Sequence, residues 1–243
     1  MSSHHGRIGH LGGPDAVVDP ALLPIVLVGL PGSGKTTVAR LLATALGVQV
    51  TDTDAEIRRR ARMTIPEIFA AEGEAGFRDR ETRALRAVLT GPAATKGVVA
   101  LGGGAVLRDE NRRLLRDLTV VYLIASPATA AGHVGDGSGR PLMNPAAPTA
   151  DSDAAGHNAG ADVLARMQAL HHERADLYQQ VASFSVPTDG LTPEQVAALV
   201  LVSLGVTPSR TAAALAPTLG DAERAPARRR QELGRARRRC GRG

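Results

Sequence analysis

The sequence predicts an α/β protein with a parallel sheet covered by helices on both faces. Three observations carry this. From Leu22 to Leu204, short aliphatic runs alternate with helical spacings, the pattern of strands joined by crossover helices. The leading run is apolar throughout, as expected for a strand buried on both faces. Hydrophobic residues make up 43% of the 243 positions and aromatics only 2%, with no Trp. The core must therefore be packed from Ala, Val and Leu.

Taken in order, Ile25–Val28 is the first strand. A helix follows over 34–46, with Val38, Leu41, Leu42 and Ala45 on one face and Gly47 as its C-cap. Val48-Gln49-Val50 is the second strand. Thr64 and Glu67 have the spacing of a capping box, which starts a short helix ending near Ala71. Another helix spans 74–90. Gly97–Leu101 is the third strand, a helix fills 108–117, and Thr119–Ile124 is the fourth strand. A helix over 161–181, a short strand Phe184–Val186 and a closing helix Pro193–Leu204 complete the body. Folds of this kind bind ligands beyond the carboxyl ends of their strands.

The termini read differently. Residues 1–21 are rich in Gly, His and Pro without periodicity and are expected to be disordered. His4, His5 and His10 lack companion ligands for a metal site. The net charge is +5, but it is unevenly placed. Residues 221–243 hold nine arginines against three acids, a local +6 that leaves −1 for everything before them. Residues 206–243 thus read as a basic, disordered tail. It is either a solvated extension or an arm for an acidic partner, and nucleic acid is expected, if at all, only there. Cys240 is the single cysteine, so no internal disulfide forms and a reducing compartment is indicated. No apolar run reaches the ~18–20 residues of a membrane span, and the N-terminus does not resemble a signal peptide. A cytoplasmic monomer is the expectation.

Gly29-Leu30-Pro31-Gly32-Ser33-Gly34-Lys35-Thr36 fits G-x-x-x-x-G-K-[ST], the Walker A loop. It follows a strand and opens a helix, as the motif requires. Glycines let successive backbone N–H groups close on phosphate oxygens, and the helix N-terminus adds partial positive charge. Lys35 is placed to reach the β- and γ-phosphates, and the Thr36 hydroxyl to ligate Mg²⁺. Asp52-Thr53-Asp54 lies just after the second strand. In an extended segment, residues i and i+2 face one side, so both carboxylates would face the loop. One would hold Mg²⁺ and the other a substrate hydroxyl. The competing reading is an Asp that caps the next helix, and Asp54 could do both.

Six segments in order resemble shikimate kinases: Gly29–Thr37, Asp52–Asp54, Gly73–Arg78, Leu101–Gly104, Arg140–Met143 and Arg174–Tyr178. The resemblance covers roughly 24–204. It implies a P-loop fold of the nucleoside-monophosphate-kinase kind, with a five-stranded parallel sheet and a mobile lid over about 133–160, on a kinase domain of 22–205. It implies that the ATP γ-phosphate passes to the 3-hydroxyl of shikimate. By the resemblance, Gly32, Ser33, Gly34, Lys35, Thr36 and Thr37 hold ATP, and Thr36 and Asp52 hold Mg²⁺. Asp54 holds the reacting diol. Arg78 and Arg174 hold the substrate carboxylate, and Gly102, Gly103 and Gly104 bring backbone against the substrate. Arg140, before Pro141, reaches the ATP phosphates on lid closure, so Lys35, Asp54 and Arg140 form the catalytic set.

The chemistry of these residue types agrees. A guanidinium matches a carboxylate bidentately, and a closing Arg can neutralise charge on a transferring phosphoryl group. Two departures stand out. His133 occupies the place of a family Arg that packs near adenine, and 144–160 forms a longer link than usual. The nearest rival is a kinase of the same fold acting on another polyol, such as gluconate. A rival of another class is a non-catalytic nucleotide-binding module whose tail holds nucleic acid.

Overall fold

The computed structural model describes residues 19–90, 94–134 and 159–206. Arg140, most of the expected lid and the basic tail lie outside the described residues.

Five strands form one sheet, all parallel, in the order β2-β3-β1-β4-β5. They are β1 (Ile25–Val28), β2 (Val50–Asp52), β3 (Val98–Ala100), β4 (Thr119–Ile124) and β5 (Phe184–Pro187). The helices are α1 (Lys35–Leu46), α2 (Thr53–Ala61), α3 (Ile65–Leu89), α4 (Asp109–Leu115), α5 (Pro127–Val134), α6 (Ala159–Val181) and α7 (Pro193–Ser203). From central β1 the chain runs first to one side and then to the other. The loop after β1 therefore sits at the switch point where such sheets hold ligands.

The central strands β1, β3 and β4 are buried on both faces, which explains their unbroken apolar runs. Along β1, Ile25 and Leu27 pack towards α1 and α7, beside Val38, Leu42, Val196 and Val200. Val26 and Val28 pack the other way, beside Leu85, Leu115, Met167 and Tyr178. A smaller cluster of Ile57, Ile68, Phe77 and Ala84 joins α2 to α3. Phe69 and Phe77 stack there with ring centres 4.6 Å apart. Most of the few aromatics thus lie in two pairs, the second being Tyr122 and Tyr178 at 5.2 Å.

Gly47 ends α1 in the left-handed conformation, and its N–H reaches the Ala43 and Thr44 carbonyls. The capping box at Thr64 forms in both directions. α3 is broken at Gly73, whose φ of 67° and ψ of −173° are open to glycine and strained for other residues. The two helices expected on either side of that position are thus both present and meet at this kink within α3.

Four expectations are corrected. The second strand is Val50–Asp52 rather than 48–50, because the turn after α1 uses Val48, whose N–H bonds the Ala43 carbonyl. Asp52-Thr53-Asp54 is not an extended run. Asp52 ends β2 and caps α2, with its Oδ1 accepting from Ala55 N at 3.0 Å. α5 was not expected; its Ala- and Gly-rich sequence carries little apolar periodicity, but Ser126 caps it through Thr129 N at 3.2 Å. Finally, ordered backbone begins before residue 22. Asp19 caps a 3-10 turn at Pro20–Leu22.

Candidate active site

Four loops meet at the carboxyl edge of the sheet. The loop after β1 carries the phosphate-binding motif. Lys35 is buried, and its Nζ donates to the Gly29 carbonyl at 3.0 Å and the Leu30 carbonyl at 2.7 Å. The loop thus folds its own cation into its mouth. Ser33 is buried with its Oγ 3.5 Å from that ammonium. Thr37 is exposed on the first turn of α1. Thr36 Oγ1 donates to Asp52 Oδ2 at 2.7 Å. Asp52 therefore holds the cap of α2 with one oxygen and the Thr36 hydroxyl with the other, so the helix cap that was open to Asp54 falls on Asp52.

A hydroxyl and a carboxylate 2.7 Å apart at the end of a phosphate loop form a hard-oxygen donor set. That suits Mg²⁺, which takes only one or two protein ligands and fills its octahedron with water and substrate phosphates. Among the described residues no group of three or more His, Cys, Asp and Glu could form an all-protein metal cage.

The glycine triplet after β3 is the hub of the site. A methyl added to Gly102 would lie 2.6 Å from Asp54 Oδ1 and 2.9 Å from Glu81 Oε1. One added to Gly104 would fall onto the Arg78 guanidinium. At Gly103 the same atom would sit 3.1 Å from Pro31 of the phosphate loop. The triplet is glycine because functional side chains fill the space that its own would take. Its position is set by neighbours. Thr53 Oγ1 accepts from Gly102 N at 2.9 Å, and the Gly103 carbonyl accepts from Tyr178 Oη at 2.5 Å and Arg174 Nη1 at 3.4 Å.

Arg78 and Arg174 are both buried, and each has an exposed acidic neighbour. Arg78 pairs with Glu74 at 3.2 Å, and Arg174 with Glu173 at 2.9 Å. A cavity of about 230 Å³ opens beside Arg174, lined by Glu74, Arg166, Ala169, Leu170, Glu173 and Arg174. Both guanidiniums have the chemistry to bind a carboxylate, and their exposed acidic partners return to water at little cost when displaced.

Glu81, Thr53 and Tyr178 were missed as site residues. Glu81 is 1% exposed and 2.8 Å from Arg78. Burial is the main cause that pushes its carboxyl up to about 7, against the pull of Arg78 and with the help of the Asp54 charge. Arg78 itself is raised; burial opposes its charge, but Glu81 and Glu74 outweigh it. Within this pair, burial and the second carboxylate favour a neutral Glu81, whereas the guanidinium favours the ion. The sequence did hold a signal, since Glu81 stands on the apolar face of α3 with Phe77, Ala84, Leu85 and Val88. Thr53 and Tyr178 offered none, because a hydroxyl in a motif does not reveal its acceptor.

Two outcomes follow. Glu81 binds its proton more tightly folded than unfolded, so its contribution to stability is complete below about pH 4.5 and is lost as pH rises towards about 7. The stability of wild type relative to Glu81→Gln should therefore fall by roughly 1–3 kcal/mol over that window, measured by urea unfolding. A pH-independent difference would contradict it. Tyr178→Phe removes the hydroxyl that positions Gly103 while keeping the ring. It should cost roughly 1–2 kcal/mol of stability and raise the acceptor KM more than the ATP KM.

His133, at the end of α5, sits beside the phosphate loop, with Nδ1 3.0 Å from the Gly32 carbonyl oxygen. The structure thus brings together Asp52, Asp54, Arg78, the triplet, Arg174, His133 and the phosphate loop, while Arg140 lies outside the described residues.

The family model described as shikimate kinase matches residues 31–204. A shikimate kinase of Rhodococcus erythropolis is 42% identical over 70% of this chain and 90% of its own length. One of Thermobifida fusca is 44% identical over 70% and 88%. Among solved structures, shikimate kinase from Acinetobacter baumannii in complex with shikimate superposes with a TM-score of 0.66 at 32% identity. That match covers 76% of this chain and 95% of the other.

Proposed function

Because the chain belongs to the shikimate kinase family, we propose a residue-level account of how it moves the γ-phosphate of ATP to the 3-hydroxyl of shikimate. It is an ATP-dependent phosphotransferase, and the fold, the phosphate loop and the carboxylate receptor agree with that activity. The observation that carries the account is the glycine triplet. It touches the phosphate loop at Pro31, Asp54 at Gly102 and Arg78 at Gly104, so donor and acceptor sites share one wall.

ATP lies along the loop with its phosphates against the N-terminus of α1. Gly32, Ser33 and Gly34 shape the backbone cradle, Thr37 flanks it, and Lys35 exchanges a loop carbonyl for a phosphate oxygen. Thr36 and Asp52 are the residues that would hold Mg²⁺, whose chemistry is to neutralise phosphate charge. Arg78 and Arg174 clamp the shikimate carboxylate, which fixes the ring's orientation at the end away from the phosphates. Asp54 accepts a hydrogen bond from the 3-hydroxyl, aims its oxygen at the γ-phosphorus and takes its proton as the new P–O bond forms, while the bond from the γ-phosphorus to the β,γ-bridging oxygen breaks and ADP leaves with that electron pair. Arg140 adds charge from the lid. His133 lies on the nucleotide side. Such catalysis is positioning and electrostatics more than covalent chemistry.

No described helix is long and apolar enough to cross a membrane, and we place the reaction in the reducing cytoplasm, which suits a chain with one cysteine. The test is ADP release with MgATP and a panel of acceptors. Shikimate should turn over, while gluconate, which lacks the rigid ring that spans receptor and Asp54, should not. Gluconate turnover without shikimate turnover would overturn the assignment.

A further inference from the structure

We propose that His133 is a positioning residue for the phosphate loop, acting through the Gly32 carbonyl rather than by stacking on the nucleotide base. The inference rests on the kinase reading of the site and deepens it. A carbonyl oxygen only accepts, so the 3.0 Å contact requires a proton on His133 Nδ1. The same peptide plane is held from its other side, where Ser33 N donates to the Leu30 carbonyl at 3.1 Å. The Gly32–Ser33 peptide is thus pinned at both of its polar atoms.

Pinning matters at this position. Gly32 has φ +81°, and Gly34 follows with φ +83°, so glycine flexibility on both sides makes the intervening peptides easy to flip. A flip at 32–33 would turn a carbonyl dipole towards the inside of the loop, where it would repel phosphate. α5 provides the fixed wall against which the loop is held. A methyl on Gly32 would strike the Ala130 carbonyl and lie 2.9 Å from Val134 Cγ2. Ala130 is fully buried. The far end of α5 is tied down as well, since Ser126 N donates to the Asp189 carboxylate at 3.0 Å. The imidazole is exposed, so packing does not explain it; the bond to Gly32 is the contact that it makes with the loop.

Three variants separate this role from base stacking. In His133→Asn, the side-chain amide presents an N–H close to the place of Nδ1 and has no ring. In His133→Phe, the ring remains and the donor is lost. In His133→Gln, the donor is carried one bond too far. Binding of MgATP and MgADP is titrated without shikimate, and KM for both substrates is then measured. The expected result is affinity within about twofold of wild type for Asn and a loss of about three- to tenfold for Phe and Gln. The shikimate KM should be little changed in all three. Retention by Phe with loss by Asn would assign His133 to the base and overturn the proposal. Equal affinities in all four proteins, or equal loss in all three variants, would also overturn it. The nucleotide titration stands apart from turnover. A wild type that binds MgATP but fails to release ADP with shikimate would sink the kinase reading and leave the His133 result interpretable.

Discussion

Asp54→Asn is expected to bind MgATP as wild type does and to lose about 10²–10⁴-fold in kcat. The side chain sits on the first turn of α2, against Gly102 and beside Glu81, away from the Thr36–Asp52 pair at the phosphate end. An amide of the same shape keeps the packing and removes the base. It also presents an N–H₂ where a hydroxyl needs an acceptor, so the acceptor oxygen loses its aim. The split between intact nucleotide affinity and lost turnover distinguishes Asp54 from Asp52. Asp52→Asn should weaken Mg²⁺-dependent nucleotide binding itself.

Arg174→Gln should raise the KM for shikimate by about 10²-fold or more while leaving that for ATP within about threefold. Removing one partner of a buried, charge-assisted pair costs about 2–5 kcal/mol. Arg174 is 3% exposed and reaches the site from α6, remote in sequence from the phosphate loop. Lys at this position should recover only part of the loss, since a point charge lacks the planar fork. Arg78→Gln should show the same KM split together with lower stability, because Glu81 then loses its buried partner at 2.8 Å. Equal changes in both KM values would remove these arginines from the carboxylate receptor.

Much of the fold was legible because the central strands of the sheet are buried on both faces. Strands in that position read as unbroken apolar runs, and β1 and β4 were recovered residue for residue. Caps carried their own chemistry, at Gly47 and at Thr64 with Glu67. α5 was lost because Ala, Thr and Gly next to a phosphate loop give no amphipathic stripe. The register of β2 was lost because Val48 and Val50 look alike in sequence and only the turn after α1 separates them.

The site was legible as separate motifs and not as an assembly. The phosphate loop declares itself through spacing, and arginines near glycines suggest anions. No spacing shows that the triplet is empty so that Asp54, Glu81 and Arg78 can occupy its sides. Nor does it show that Asp52 spends its carboxylate on the helix cap and Thr36 together. Those relations join residues that are distant in sequence or bent out of an extended run, and they arise only when the chain closes.

The most direct test of the account is the position of the phosphate on the product, read by phosphorus–proton coupling in NMR after turnover of shikimate with MgATP. If Arg78 and Arg174 hold the carboxylate while Asp54 aims one hydroxyl, a single product with phosphate on the 3-oxygen forms, and replacing the carboxylate by a neutral amide abolishes turnover at matched concentration. Phosphate on another oxygen, a mixture of regioisomers, or undiminished turnover of the amide would contradict it.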